Sequence, residues 1–83
     1  MEGDISMAEQ VRLPKLSATM TEGIVVEWLK KEGETITKGE PLVQVETDKA
    51  VIEVESPVSG VIKQILHGKG TRVSVDTVLA LVE

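Results

Sequence analysis

Residues Gly23–Glu46 return 37 positions later as Gly60–Glu83, a match of 24 residues without a gap in a chain of 83. Gly23, Leu29, Gly33, Leu42, Val45 and Glu46 recur as Gly60, Leu66, Gly70, Leu79, Val82 and Glu83. Apolar character is also kept at Ile24/Val61, Val25/Ile62, Trp28/Ile65 and Ile36/Val73. Two units are too few for a solenoid, which needs about three stacked repeats to bury a continuous core. The halves are therefore expected to close on each other about a pseudo-twofold axis, as a flattened barrel or sandwich.

The repeated unit reads as β structure. From Val11 onward Val, Ile and Leu fall in short runs broken by Gly, Pro, Ser, Thr and Asp, and no window holds the i, i+3, i+4, i+7 spacing of an amphipathic helix. An all-β fold is expected, with strands at Val11–Leu16, Ile24–Trp28, Thr35–Ile36, Leu42–Glu46, Val51–Glu55, Val61–Ile65, Arg72–Val73 and Val78–Val82. The length supports one domain, assigned to residues 11–83. Residues 1–10 are polar and acidic, with a second Met at position 7, and are expected to form a disordered lead-in.

Composition removes several functions. A net charge of −5 argues against binding a phosphate backbone, so no nucleic-acid partner is expected. No run approaches the roughly 18 apolar residues of a membrane span, and Met1-Glu2-Gly3-Asp4 lacks the basic start of a secretory signal, so neither a membrane partner nor secretion is expected. Cysteine is absent, which removes disulfides and thiolate metal sites.

Symmetry then decides what each end of the domain carries. The strand ending at Glu46 runs on into Thr47-Asp48-Lys49-Ala50, whereas its repeat mate ends at Glu83. The lysine turn is thus related by the axis to the chain ends, with Val11–Leu16 standing in for Val51–Glu55. Turn and chain ends should lie at opposite ends of the domain. With Asp48 and Lys49 as a two-residue loop, Val45 faces Ile52, Val43 faces Val54 and Gln44 faces Glu53. Apolar pairs then share one face and polar pairs the other, an arrangement that a one-residue slip would destroy. The tip holds no glycine, so the primed turns that need positive φ are disfavoured, and a type I turn pointing Lys49 away from the body is expected.

A turn lysine is ordinarily a solvated residue or a guard against edge-to-edge pairing. Here an extreme tip, a pinned register and a place opposite the chain ends suit a tethered domain that offers one amine to other proteins. Lysine amines in water are overwhelmingly protonated at neutral pH and are poor nucleophiles unaided. Lys49 is better suited to being acylated by another enzyme.

Three stretches carry a resemblance: Glu46-Thr47-Asp48-Lys49-Ala50, Pro14-Lys15-Leu16-Ser17-Ala18-Thr19-Met20-Thr21-Glu22-Gly23, and Trp28-Leu29-Lys30-Lys31-Glu32-Gly33-Glu34. With Gly33 lying 16 residues before Lys49 and Gly60 11 after it, the chain from Val11 to Glu83 resembles the lipoyl domain of dihydrolipoyl acyltransferases from 2-oxo acid dehydrogenase complexes. The resemblance implies a flattened barrel of two four-stranded antiparallel sheets with Lys49 crowning a hairpin. It implies lipoic acid in amide linkage to Lys49, attached by a lipoate-attaching enzyme that recognises Glu46, Asp48, Ala50 and Gly60. The loop Ser17, Ala18, Thr19, Met20, Thr21 and Glu22 would contact the thiamine-diphosphate-dependent decarboxylase. Family members usually carry Pro where this chain has Ala18, which leaves the loop less rigid.

The implied mechanism is a swinging arm. The decarboxylase reduces and acylates the dithiolane, the acyltransferase core passes the acyl group to coenzyme A, and the flavin-bearing dihydrolipoyl dehydrogenase reoxidises the dithiol. Tethering keeps the carried group near millimolar effective concentration at each site. The domain performs no catalytic step; the cofactor supplies the chemistry and the protein supplies position. A monomeric isolated domain is expected, in bacterial cytoplasm or mitochondrial matrix. The Leu16–Gly23 stretch looks like the pyruvate type, with acetoin-cleaving relatives close behind and the branched-chain and 2-oxoglutarate types further off. A biotinyl carrier shares such a fold but resembles Met-Lys-Met around its lysine, unlike Asp48-Lys49-Ala50. A non-catalytic β interaction module would leave Lys49 unmodified.

The remaining candidates read as structural. His67 is the only histidine and lacks companions for a metal site. Trp28 matches Ile65 in the repeat and is expected in the core. Gly68-Lys69-Gly70 lacks the spacing of a phosphate-binding loop. Glu53 and Glu55 alternate with Ile52 and Val54 and are expected on the solvent face, so they form no paired acid–base site.

Overall fold

Period-two alternation of Val and Ile with polar residues builds eight strands: β1 Glu9–Arg12, β2 Glu22–Trp28, β3 Thr35–Ile36, β4 Pro41–Glu46, β5 Val51–Glu55, β6 Gly60–Ile65, β7 Arg72–Ser74 and β8 Val78–Val82. The structure, a computed structural model, describes residues 8–83. The strands form two four-stranded antiparallel sheets, ordered β5-β4-β2-β7 and β1-β8-β6-β3. We call them the lysine sheet and the terminal sheet.

The repeat is realised as an architecture. Replacing each strand of the lysine sheet by its mate 37 residues on turns β4-β2 into β8-β6, and β3 likewise mirrors β7 across the axis. Pairings match residue for residue: Val25 faces Val45 where Ile62 faces Val82, and Trp28 faces Val43 where Ile65 faces Ala80. A bulge between Val25 and Glu27 recurs between Ile62 and Gln64. Gly33 donates its amide to Ile62 O as Gly70 donates to Val25 O, both at 2.7 Å. At Gly39 and its mate Asp76 the backbone is left-handed, with φ 90° and 78°. Aspartate is one of the few residues besides glycine that tolerates this region.

The first strand departs from the expected span. It begins at Glu9 and ends at Arg12, not at Val11 and Leu16, so Glu9 and Gln10 belong to the fold instead of the lead-in. Of the other lead-in residues, 1–7 lie outside the described residues and Ala8 precedes the first strand. Glu9 faces Val82 as Ile52 faces Val45, and Val11 faces Ala80 as Val54 faces Val43, so β1 mirrors β5 at a shift of 43 and not 37. The reason is connectivity. β5 leaves its half through the hairpin, β1 enters its half from the other side of β2, and nothing ties their offset to that of the continuous repeat. After Arg12 the chain leaves the terminal sheet: Leu13 is fully buried against the lysine sheet, and Pro14 supplies no amide for a ladder.

Two clusters fill the interior. Val25, Val43, Val45, Val54 and Val73 of the lysine sheet meet Leu13, Met20 and Leu79; Val11, Ile36, Ile62, Ala80 and Val82 of the terminal sheet meet Leu42. Each sheet therefore lends one leucine, Leu42 or Leu79, to the opposite cluster. Trp28 touches both clusters and donates its indole N–H to His67 O at 2.8 Å, so the expected core tryptophan is a half-buried bridge whose polar end is satisfied. His67 contributes its carbonyl to this bond.

Candidate functional site

The hairpin between β4 and β5 has the expected register: Val45 opposite Ile52, Gln44 opposite Glu53, Val43 opposite Val54. Val43 and Val45 are fully buried and Val54 nearly so, while Glu53 and Glu55 are exposed. A slip would place these valines in water, at a cost of about 1.5–3 kcal/mol each, so the sheet below fixes where the tip emerges. Asp48, Lys49 and Ala50 are all exposed.

The turn closes differently from a plain type I turn. Among the described residues the only non-glycine with positive φ is Asp76, so no primed turn forms here. Thr47 N–H donates to Ala50 O at 2.8 Å. The Thr47 hydroxyl donates to the same carbonyl at 3.0 Å, and it accepts from Lys49 N–H at 3.2 Å and Ala50 N–H at 3.1 Å. One side chain thus satisfies the amides on both sides of Lys49, the task a backbone carbonyl performs in an ordinary turn. Sequence reasoning passed over Thr47. The available signal was a Ser/Thr two residues before an exposed turn residue, the pattern of a hydroxyl-closed turn.

Topology places this tip opposite the start of β1 and the end of β8. β4 runs to the hairpin at Glu46; β2 starts there, with Ile24 facing Glu46, and β7 ends there, with Ser74 facing Glu22. The Val75–Thr77 turn crosses to the terminal sheet, where Leu13 N–H donates to Thr77 O at 3.0 Å. β8 therefore starts at the hairpin end and runs away from it for five residues, about 17 Å at 3.3–3.4 Å each, to the place where Glu9 faces Val82.

Of the residues expected at the site, Glu46, Asp48 and Ala50 surround Lys49, whereas Gly60 does not. Gly60 opens β6 beside Glu83, and a Cβ there would lie 2.6 Å from Glu83 O and 2.9 Å from Val82 Cγ1. Gly60 is a close-packing residue at the far end. The glycine at the hairpin end is its mate Gly23, where a Cβ would lie 2.5 Å from Val45 Cγ1.

The expected partner loop does reach the hairpin. Thr19 to Ile24, Glu46 to Asp48 and Arg72 border one open groove of about 300 Å³. Ala18, Thr19, Thr21 and Glu22 are exposed, and Glu22 forms an ion pair with Arg72 across the β2–β7 edge. Met20 points inward instead: it is 3% exposed and its Sδ accepts the Leu16 N–H at 3.3 Å, so it anchors the loop and offers partners nothing. Ser17 is half-buried, its Oγ enclosed without a hydrogen-bond partner.

A single exposed amine on a rigid hairpin, remote from where β1 starts and β8 ends, fits covalent loading of a carrier. The family model described as "Biotin-requiring enzyme" matches residues 9–82. A solved lipoyl domain of the 2-oxoglutarate dehydrogenase complex from Azotobacter vinelandii is 33% identical with a TM-score of 0.67, over 89% of this chain and 95% of its own. The chain is a lipoyl domain of the biotin/lipoyl family. Lipoyl domains carry lipoic acid covalently on a lysine and are carriers, not catalysts.

Its curated relatives are much longer proteins. The dihydrolipoyllysine-residue succinyltransferase component of the 2-oxoglutarate dehydrogenase complex of Staphylococcus saprophyticus is 41% identical over 73 residues, 88% of this lipoyl domain and 17% of the relative. A dihydrolipoyllysine-residue acetyltransferase component of the mitochondrial pyruvate dehydrogenase complex of Arabidopsis thaliana is 40% identical over 79 residues, 94% of this domain and 15% of the relative. The fold extends to the Kluyveromyces lactis urea carboxylase, with a TM-score of 0.77 at 21% identity over 92% of this chain and 6% of that one.

Proposed function

We propose that Lys49 carries the lipoic acid, and that this lipoyl domain serves the acyltransferase of a 2-oxo acid dehydrogenase complex of the pyruvate type. The observation that carries the reading is the exposed Lys49 on a register-locked hairpin, with the start of β1 and the end of β8 at the opposite pole. Bound there, lipoic acid supplies a disulfide that takes up an acyl group with two electrons and gives both up again. The residues of the chain provide the rest. Val43, Val45 and Val54 hold the hairpin base, Thr47 closes the turn, and Asp48 and Ala50 keep the tip small enough to enter a partner's active site. Amide formation removes the ammonium charge of Lys49, so the loaded tip keeps Asp48 and Glu46 as its charges.

The partners follow from that role: a lipoate-attaching enzyme on the hairpin, a thiamine-diphosphate-dependent decarboxylase on the groove between hairpin and partner loop, the acyltransferase core, and dihydrolipoyl dehydrogenase. Relatives of both the pyruvate and the 2-oxoglutarate complexes match this chain; the Leu16–Gly23 stretch favours the pyruvate type.

Intact mass after co-expression with a lipoate-attaching enzyme tests the site. A gain of one lipoyl group on the wild type and none on Lys49→Arg is expected, because a guanidinium does not form the amide. A lipoylated Lys49→Arg, a biotinylated wild type, or no gain at all would each overturn the assignment. Reductive acylation should be faster with a pyruvate decarboxylase component than with a 2-oxoglutarate one; the reverse order would move the domain to the other complex.

A further inference from the structure

We infer that the Thr47 hydroxyl is a positioning residue for loading: it aims Lys49 at the enzyme that attaches the cofactor. The inference rests on Lys49 being the modified residue and goes one step further, to the group that decides how the amine is presented.

A hydroxyl has one proton to donate and two lone pairs that accept. At Thr47 all three are used inside the turn, on Ala50 O, Lys49 N–H and Ala50 N–H, at 3.0, 3.2 and 3.1 Å. The two N–H groups belong to the peptide units on either side of Lys49, and the carbonyl to the next unit, Ala50–Val51. Their orientation sets the backbone of residue 49, and hence the direction in which its Cα–Cβ bond leaves the tip. Nothing else recorded in the turn bonds the amide of Lys49 or Ala50, and the tip lacks the Asn-Gly or Asp-Gly pair that would fix its shape through the backbone alone. Thr47 is itself half-buried and borders the groove beneath the tip.

The chemistry of loading makes aim matter. In the attaching enzyme Nζ, freed of its extra proton, attacks the activated carboxyl carbon of the cofactor. The C–N bond forms, the bond to the activating group breaks and that group leaves, and nitrogen gives up a second proton. A misplacement of about 1 Å along this approach costs on the order of a hundredfold in rate. Loss of the hydroxyl leaves the β4–β5 ladder, Glu46, Asp48 and Ala50 in place. The tip should still dock and then present its amine badly.

Thr47→Val replaces the hydroxyl by a methyl at nearly constant shape. With a lipoate-attaching enzyme and the unmodified domain as varied substrate, kcat is expected to fall roughly ten- to a hundredfold while KM changes little. Thr47→Ser, which keeps the hydroxyl, restores loading to near the wild-type rate. Amide hydrogen exchange should quicken at Lys49 and Ala50 alone, with Val43 and Val45 still protected; this shows that the variant is folded when it is assayed. Wild-type loading of Thr47→Val, or a Thr47→Ser as slow as Thr47→Val, would overturn the inference and leave the carrier assignment standing. Failure of the wild-type domain to be loaded would instead strike the carrier assignment itself.

Discussion

The lysine sheet and the terminal sheet are alike inside and unlike outside. Buried positions match in pairs: Val25 with Ile62, Val43 with Ala80, Val45 with Val82, Val54 with Val11, Val73 with Ile36 and Leu79 with Leu42. Exposed positions diverge. Glu27, Glu53 and Glu55 on the lysine sheet stand where Gln64, Gln10 and Arg12 stand on the terminal sheet. The greatest divergence is at the ends: one sheet finishes in a closed turn bearing Lys49, while its mate finishes where β1 starts and β8 stops, with no turn between them. Packing constrains one half to copy the other only where side chains interlock. Lys49 and its neighbours Thr47, Asp48 and Ala50 sit where the copy fails.

The interior half of this comparison is broken most directly at the exchanged leucines. Leu42 and Leu79 are both 0% exposed, each inserted into the other sheet's cluster. Leu42→Ala and Leu79→Ala should each cost about 2–5 kcal/mol, the range for emptying a buried leucine site, and by similar amounts. Denaturant unfolding of the two variants checks this. A difference beyond about 2 kcal/mol would mean that one cluster collapses more easily than the other and that the interior equivalence is only formal.

The mated glycines separate fold from site. Gly23→Ala forces a Cβ onto Val45 Cγ1 at the hairpin foot; Gly60→Ala forces one onto Glu83 O beside the chain ends. Overpacking of this kind costs about 1–3 kcal/mol, so both variants lose stability. Their loading should differ. Corrected for the folded fraction, lipoylation of Gly23→Ala slows because the strand beneath Lys49 must shift, whereas Gly60→Ala is loaded like the wild type. Slow loading of folded Gly60→Ala would restore Gly60 to the recognition surface.

How much of this was legible in the sequence follows from which forces are local. Strand count, hairpin register and pseudo-symmetry depend on period-two patterning and on a continuous repeat, and both are visible in the order of residues. The shift of 43 that relates β1 to β5 is not visible, because it is set by where the chain changes sheets, at Leu13-Pro14, and by contacts distant in sequence. Gly60 enters the site only through the family resemblance; it lies 11 residues after Lys49 in sequence, but β5 and the turn after it carry the backbone to the opposite pole. Met20 looked available in a polar loop, but a thioether beside an unfilled core is drawn inward. Thr47 was hidden because a hydroxyl's partners depend on turn dihedrals that the sequence only restricts.

A smaller difference between the halves lies in the turn before β4. Glu40 accepts the Thr37 N–H at 3.0 Å and lies 3.1 Å from Lys30 Nζ, while its mate Thr77 has no charge. The Thr37 amide first, then the Lys30 ammonium, lowers the Glu40 pKa from 4.5. A carboxyl lowered in this way binds its proton more weakly folded than unfolded, so its contribution is complete above pH 4.5 and disappears as pH falls through the folded pKa. Glu40→Gln keeps an acceptor for Thr37 and removes the titration. The stability difference between wild type and variant should be a small positive value at neutral pH and shrink toward zero well below pH 4.5, with the other carboxylates cancelling between them. A difference constant over that window would show that the carboxylate's charge contributes nothing, and that the two turns are as alike in energy as they are in backbone.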